Sequence, residues 1–193
     1  MKLSGSYQIN LPKEKVWEAL NDPEILKQAI PGCEEFTKNS DTEFTAKATN
    51  KIGPFNASFT GDVELKDLNP PNSYKITGSG NSPVGFASGE ASVKLEEENG
   101  GTKLIYEVEA NVGGKIAQVG ARLIDMTAKK MADIFFGKFS ELITPSMNEE
   151  NLNQNQSEEK DSVDSSSQKP SNQKLLIYGG VILAVAIIAY LIF

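Results

Sequence analysis

The chain has 193 residues, 19 Lys and Arg against 26 Asp and Glu, and a formal charge of −7. No stretch is basic enough to track phosphates, which excludes nucleic acid as a partner. The absence of histidine excludes Ser-His and Cys-His nucleophile pairs and imidazole metal sites, and the single cysteine, Cys33, excludes an intramolecular disulfide.

The first residues, Met1-Lys2-Leu3-Ser4-Gly5-Ser6-Tyr7, contain no apolar run and do not read as a secretory signal. Leu3 to Asn10 reads as a first strand. Pro12 to Leu20 reads as a short helix with Pro in its first turn and Val16, Trp17 and Leu20 on one face. Asp22-Pro23 opens a second short helix that runs through Ile30 and ends at Pro31-Gly32.

A long antiparallel meander follows. Apolar and polar residues alternate around Phe44, Ala46 and Ala48; around Phe55, Ala57, Phe59, Gly61, Val63 and Leu65; around Tyr74, Ile76 and Gly78; around Ala91, Val93 and Leu95; and from Leu104 through Tyr106, Val108 and Ala110 to Val112. Such alternation buries one face and wets the other. Asn69-Pro70-Pro71-Asn72 is a turn, and Glu98-Asn99-Gly100-Gly101 carries the Asn-Gly hairpin signal. Asn81 to Phe86 breaks the alternation, as either a rim loop or a simple bulge or turn.

From Gln118 to Ile143 the period becomes helical. Gly120, Leu123, Ile124, Thr127, Met131, Ile134, Phe135 and Leu142 cluster on one side of the wheel, with Arg122, Asp125, Lys129 and Asp133 opposite. Lys138 falls on the apolar side, where its stem can snorkel at a sheet edge. The order is one strand, two short helices, about six strands and one long helix. An antiparallel sheet must cover its apolar face, so the expected fold is α+β, with a curved sheet of about seven strands wrapped around the last helix.

Residues 144–174 read as a disordered polar linker: of 31 residues, 16 are Ser, Asn or Gln, giving a span of about 30 Å. Residues 175–193 are 19 uncharged residues, of which 12 are Leu, Ile, Val or Phe. As a helix they would span about 28 Å, the thickness of a bilayer's hydrocarbon, with an insertion preference of about 4–7 kcal/mol at most. The expected anchor runs from Leu175 to Phe193, with Tyr178 and Tyr190 near the two interfaces. Lys169 and Lys174 precede it and no positive residue follows. The reading is a single-pass C-terminal tail anchor in the lipid bilayer, with a soluble domain in the cytoplasm.

Over residues 1–143 the chain resembles the START-like (SRPBCC) helix-grip superfamily and, more closely, the CoxG family of carbon monoxide dehydrogenase subunits. The resemblance rests on Lys2-Leu3-Ser4-Gly5, on Val16-Trp17-Glu18-Ala19-Leu20-Asn21-Asp22-Pro23, on Ile30-Pro31-Gly32-Cys33-Glu34, on Gly120-Ala121-Arg122-Leu123-Ile124-Asp125, and on Lys129-Lys130-Met131-Ala132 with Phe135-Phe136. It implies a sheet and helix enclosing an elongated apolar cavity. It also implies association with molybdenum hydroxylase subunits of the carbon monoxide dehydrogenase type, and a role in membrane recruitment together with quinone handling.

Inward strand positions are often small: Ala46, Ala48, Ala57, Gly61, Gly78 and Ala91. Small residues leave either a ligand tunnel of a few hundred Å³ or simply room for the helix to approach closely. If a tunnel is present, Phe55, Phe59, Ile76, Phe86, Tyr106, Leu123, Thr127 and Met131 are its candidate lining, against the plainer reading of each as core. Such a wall suits a lipophilic ligand such as an isoprenoid quinone, with no covalently bound cofactor. Cys33, next to Glu34 and Glu35, is disfavoured as a thiolate, and Glu96-Glu97-Glu98 reads as a solvated hairpin end rather than a docking patch. Three functions compete: a membrane-tethered carrier of a lipophile, a pure membrane recruiter of a partner enzyme, and a START-like cyclase or hydrolase. The lack of His and of any paired acid and base leaves no catalytic residue to name and disfavours the third.

Overall fold

The computed structural model describes residues 1–144; the expected linker beyond Thr144 and the expected anchor at 175–193 lie outside the described residues. The elements run β1 (Lys2–Ile9), α1 (Lys13–Ala19), α2 (Pro23–Ala29), β2 (Cys33–Lys38), β3 (Glu43–Ile52), β4 (Phe55–Asn69), β5 (Ser73–Ser82), β6 (Gly85–Glu98), β7 (Gly101–Gly114), a 3-10 turn at Lys115–Val119, and α3 (Ala121–Ile143). The strands form one antiparallel sheet in the order β1-β7-β6-β5-β4-β3-β2. Consecutive hairpins build β2 to β7, and β1 returns beside β7, which leaves β1 and β2 as the edges.

Local chemistry sets the boundaries. The Asp22 side chain caps α2 by accepting from the backbone N–H of Glu24 at 2.9 Å, and Pro23 occupies the first helical position. The β6–β7 hairpin turns at Asn99 and Gly100, both at positive φ (53° and 78°), the geometry for which Asn-Gly is suited. The interruption at Asn81 to Phe86 is a tight turn. β5 runs through to Ser82, β6 starts at Gly85, and Ser82 Oγ accepts from the Val84 N–H at 3.2 Å.

Three elements differ from the sequence reading. The strand β2 escapes the pattern, because as an edge strand it is half-buried only at Cys33 and Phe36. The segment after β7 forms a separate 3-10 turn, so α3 starts at Ala121 rather than Gln118. The face of α3 that meets the sheet is also rotated from the expected one. Its buried residues are Ala128, Ala132, Phe135, Phe136 and Phe139, whereas Ile134 is 44% exposed. The wheel weights large aliphatics, but the buried face is two alanines followed by three phenylalanines. Lys138 is exposed and pairs with Glu141 at 3.1 Å rather than snorkelling at a sheet edge.

Candidate functional site

Strand register creates a belt of small residues across the inner face of the sheet. One row runs Ala110–Gly89–Gly78 from β7 to β5. The adjacent row runs Ala87–Gly80–Gly61–Ala46 from β6 to β3. Seven positions on five strands thus carry at most a methyl group. On one side the belt is bounded by Val108, Ala91, Ile76 and Leu65, then by Tyr106, Val93 and Tyr74; on the other side Ala48 pairs with Phe59. The α3 residues Ala128 and Ala132 are buried as well, and α3 comes nearest to α2 and β1 rather than to the middle strands.

The interior is closed in this conformation. Ala46, Ala87, Ala128 and Ala132 are each no more than 2% exposed. Open concavities lie elsewhere: on the outer face of the sheet, and in a groove of about 510 Å³ between Leu11, Ala19, Ile25, Leu142 and Ile143.

The predicted lining residues separate into three groups. Phe59, Ile76 and Tyr106 are buried on the inner face (1%, 0% and 3% exposed). Phe55, Leu123, Thr127 and Met131 are half-buried. Leu123 meets the tip of the β3–β4 hairpin, where a Cβ on Gly53 would stand 3.1 Å from its Cδ2, and Thr127 bonds its own helix through the Leu123 carbonyl at 2.7 Å. Val119 meets the same hairpin tip beside Leu123, whereas Met131 lies ten residues into α3 and packs against the core. Phe86 is placed differently. Its parity in β6 is that of Ser88 and Glu90, it is 50% exposed, and its ring lies over Gly113 on the outer face. The turn at Ser82 to Gly85 resets the alternation that sequence alone could not follow.

Polar groups lie past the Val108–Ala91–Ile76 row that bounds the belt. The Tyr106 hydroxyl reaches over Gly5, where a Cβ would come within 2.5 Å of it; only glycine in β1 leaves this room. The Tyr106 ring stacks with Phe136 at 5.6 Å and with Tyr7 at 6.1 Å, and the Tyr7 hydroxyl donates to Asp133 Oδ1 on α3. Burial, and then the bond to Asp133, pushes the Tyr7 phenol well above its ordinary range. Burial, and then the charge of Asp133, raises Tyr106. Both hydroxyls are therefore neutral donors near neutral pH. Trp17 packs edge-on against Tyr74 at 5.4 Å, and its buried indole N–H has no hydrogen-bond partner. Periodicity could not have singled out Gly5 or the orphan indole, because both depend on pairing between distant segments.

Burial raises the Cys33 thiol, with Lys27 opposing and Glu34 adding to the effect, so it is a weak nucleophile. Among the described residues no cluster of His, Cys, Asp and Glu could hold a metal ion, and no helix is long and apolar enough to cross a membrane.

A curved antiparallel sheet closed over one long C-terminal helix, with two short helices at one end, defines the helix-grip class of START-like proteins. The structure matches a conserved protein from Geobacillus kaustophilus at 30% identity and TM-score 0.71, covering 74% of this chain and 95% of that one. It also matches the Zhui aromatase/cyclase from a Streptomyces species at 12% identity and TM-score 0.52, over 74% and 93%, and a protein from Thermus thermophilus at 14% and 0.57, over 74% and 97%; at these identities the latter two show the fold alone. No curated protein sequence matches the chain. The model of the carbon monoxide dehydrogenase CoxG family matches residues 5–144, and the chain belongs to that family.

Proposed function

We propose that the protein is a non-catalytic, membrane-tethered accessory subunit that takes a lipophilic ligand between α3 and the sheet and supports a molybdenum hydroxylase of the carbon monoxide dehydrogenase type. The observation that carries the ligand reading is the glycine and alanine belt beneath α3, entered past the half-buried Phe55, Leu123, Thr127 and Met131. A core built for packing alone is filled to crystal-like density by larger side chains; here the sheet withholds them at three consecutive positions of one row and four of the next.

An isoprenoid quinone suits this chemistry. Its tail would gain about 25 cal/mol for each Å² of apolar area removed from water, before ordering costs. Its carbonyls accept hydrogen bonds, and the unpaired Trp17 N–H, packed on Tyr74, and the neutral Tyr106 hydroxyl are donors two rows beyond the belt. Because the interior is shut, entry requires the α3 N-terminal half or the hairpin tips to move aside. The uncharged segment 175–193 is the proposed tether, with the domain on the cytoplasmic side.

The closed belt gives specific support to a second reading, in which the domain only recruits a partner enzyme to the membrane and no ligand enters. The two are separated by purifying full-length protein from membranes and identifying co-purified lipophiles by mass spectrometry. The carrier reading expects a stoichiometric quinone-like lipid that is lost in Ala46→Phe. Lipid no different in amount or kind between the native chain and Ala46→Phe would leave the recruiter.

A further inference from the structure

Within 1–144 the cations are not distributed like the anions. On the sheet, Lys2, Lys47, Lys66, Lys75, Lys94 and Lys103 each sit in a salt bridge with a carboxylate. Around the beginning of α3 the pattern is reversed. Among the described residues, Lys51, Lys115, Arg122, Lys129 and Lys130 form no salt bridge. Lys51 precedes the β3–β4 tip, which approaches Leu123 and Val119 through Gly53, and Lys115 opens the 3-10 turn that leads into the helix. Lys51, Lys115 and Arg122 therefore lie toward the end where α3 begins, and Lys129 and Lys130 follow about two turns along the helix.

The first half of α3 also exposes an apolar stripe that reaches the middle of the helix. Leu123, Met126, Lys130 and Ile134 recur at spacings of three, four and four along α3 and share one side of it. Met126 is 60% exposed and Ile134 44%. Neither meets the sheet, whose contacts use Ala128, Ala132, Phe135, Phe136 and Phe139. Of the carboxylates on this stretch of α3, Asp133 is turned to β1 by its bond with Tyr7, and Asp125 is exposed between Arg122 and Lys129, leaving the cations in excess. Exposed methionine and isoleucine beside unpaired cations are what an interfacial surface needs, the apolar groups to enter the headgroup boundary and the cations to meet anionic lipid. What lies outside the described residues points to the same occupant: α3 ends at Ile143, and the chain continues to Phe193, its last 19 residues uncharged.

We infer that the exposed side of α3, from Leu123 to Ile134 with the flanking cations Lys51, Lys115, Arg122, Lys129 and Lys130, docks on an anionic lipid surface and turns the proposed entry toward the bilayer. This inference rests on the tether in the proposed function and deepens it: the tether fixes distance, and the α3 surface fixes orientation. A lipophile leaving the bilayer would then meet Phe55, Leu123, Thr127 and Met131 without crossing bulk water.

The test uses the full chain in a Cys33→Ser background with one fluorophore-bearing cysteine, either Met126→Cys on α3 or Glu90→Cys on the outer sheet face. Each is reconstituted into vesicles of phosphatidylcholine containing about one-third phosphatidylglycerol, with brominated acyl chains as quencher. The expected result is quenching at position 126 about threefold greater than at position 90, lost at about 1 M salt, where the Debye length shrinks to about 3 Å. It should also be lost when Arg122→Glu, Lys129→Glu and Lys130→Glu are combined, with the chain still floating with the vesicles. Flotation with equal quenching at both positions overturns the docking and leaves the tether standing; a chain that fails to float overturns both. Protection of position 126 by a concentration-dependent dimer, with no lipid quenching, also overturns the docking.

Discussion

Ala87→Leu tests how the belt is filled. Ala87 lies in its middle, paired with Gly80 on one side and Val112 on the other, and is 2% exposed. Leucine adds three carbons on the face that looks at α3. If the belt floors an open space, each added carbon is worth about 0.8 kcal/mol of transfer, so the substitution would stabilise by about 2 kcal/mol. If the space is shut, the side chain is forced off its rotamers or displaces α3, which costs about 1–3 kcal/mol. Near-complete burial of Ala87, Ala128 and Ala132 predicts the second outcome: a fall in Tm of about 3–10 °C for a domain of this size. Thermal unfolding of delipidated full-length protein, followed by near-UV circular dichroism, measures it. If the proposed quinone binding holds, added quinone should raise the Tm of the native chain and leave that of this variant unchanged. An unchanged or raised Tm in the delipidated variant would refute the closed packing derived from the belt.

Asp22→Ala removes the cap of α2 and is expected to cost about 0.5–2 kcal/mol in urea unfolding, with Asp22→Asn retaining most of it. Tyr7 and Tyr106 both have raised phenol pKa values in the folded state. Their stabilisation is therefore whole below the ordinary phenol pKa of about 10 and is lost as pH rises above it. Tyr7→Phe should flatten the alkaline loss of stability above about pH 10, with Tyr106 supplying the remaining slope, and an unchanged profile would remove Tyr7 from that linkage. Cys33, raised by burial, should react with a disulfide reagent at about pH 8 more slowly than a free thiol and reach the free rate on unfolding.

Much of the fold is legible because the inner sheet alternates strictly and the turns carry distinctive chemistry. Asn99-Gly100 and Asp22-Pro23 announce their hairpin and helix start without tertiary information. The edge strand β2 is hidden because an edge with little burial has little pattern to show. The orientation of α3 misleads for a more instructive reason. Its sequence carries two apolar faces, one of alanine and phenylalanine that is buried and one containing Met126 and Ile134 that remains exposed, and a wheel weighted by aliphatic size settles between them, taking Phe135 from the first and Ile134 from the second. In the candidate site, the small residues are visible one by one, but their alignment into two continuous rows is a property of register. Phe86 reads as inward because the turn before it shifts parity by a step that no local signal reveals.

If the chain is tethered to a bilayer as proposed, the open edges of the sheet matter, because the chain is then confined to two dimensions. Molecules tethered to a bilayer meet at far higher local concentration than in solution, and unpaired strand edges invite them to zip together. Here β2 is six residues long, is broken in register between Cys33 and Glu35, and carries Glu34, Glu35 and Lys38 along its length, while β1 is fastened to α3 by Tyr7 and Asp133. Crowding on a membrane would therefore not propagate one molecule's sheet into the next, and many copies could share a small area of lipid while remaining individually mobile.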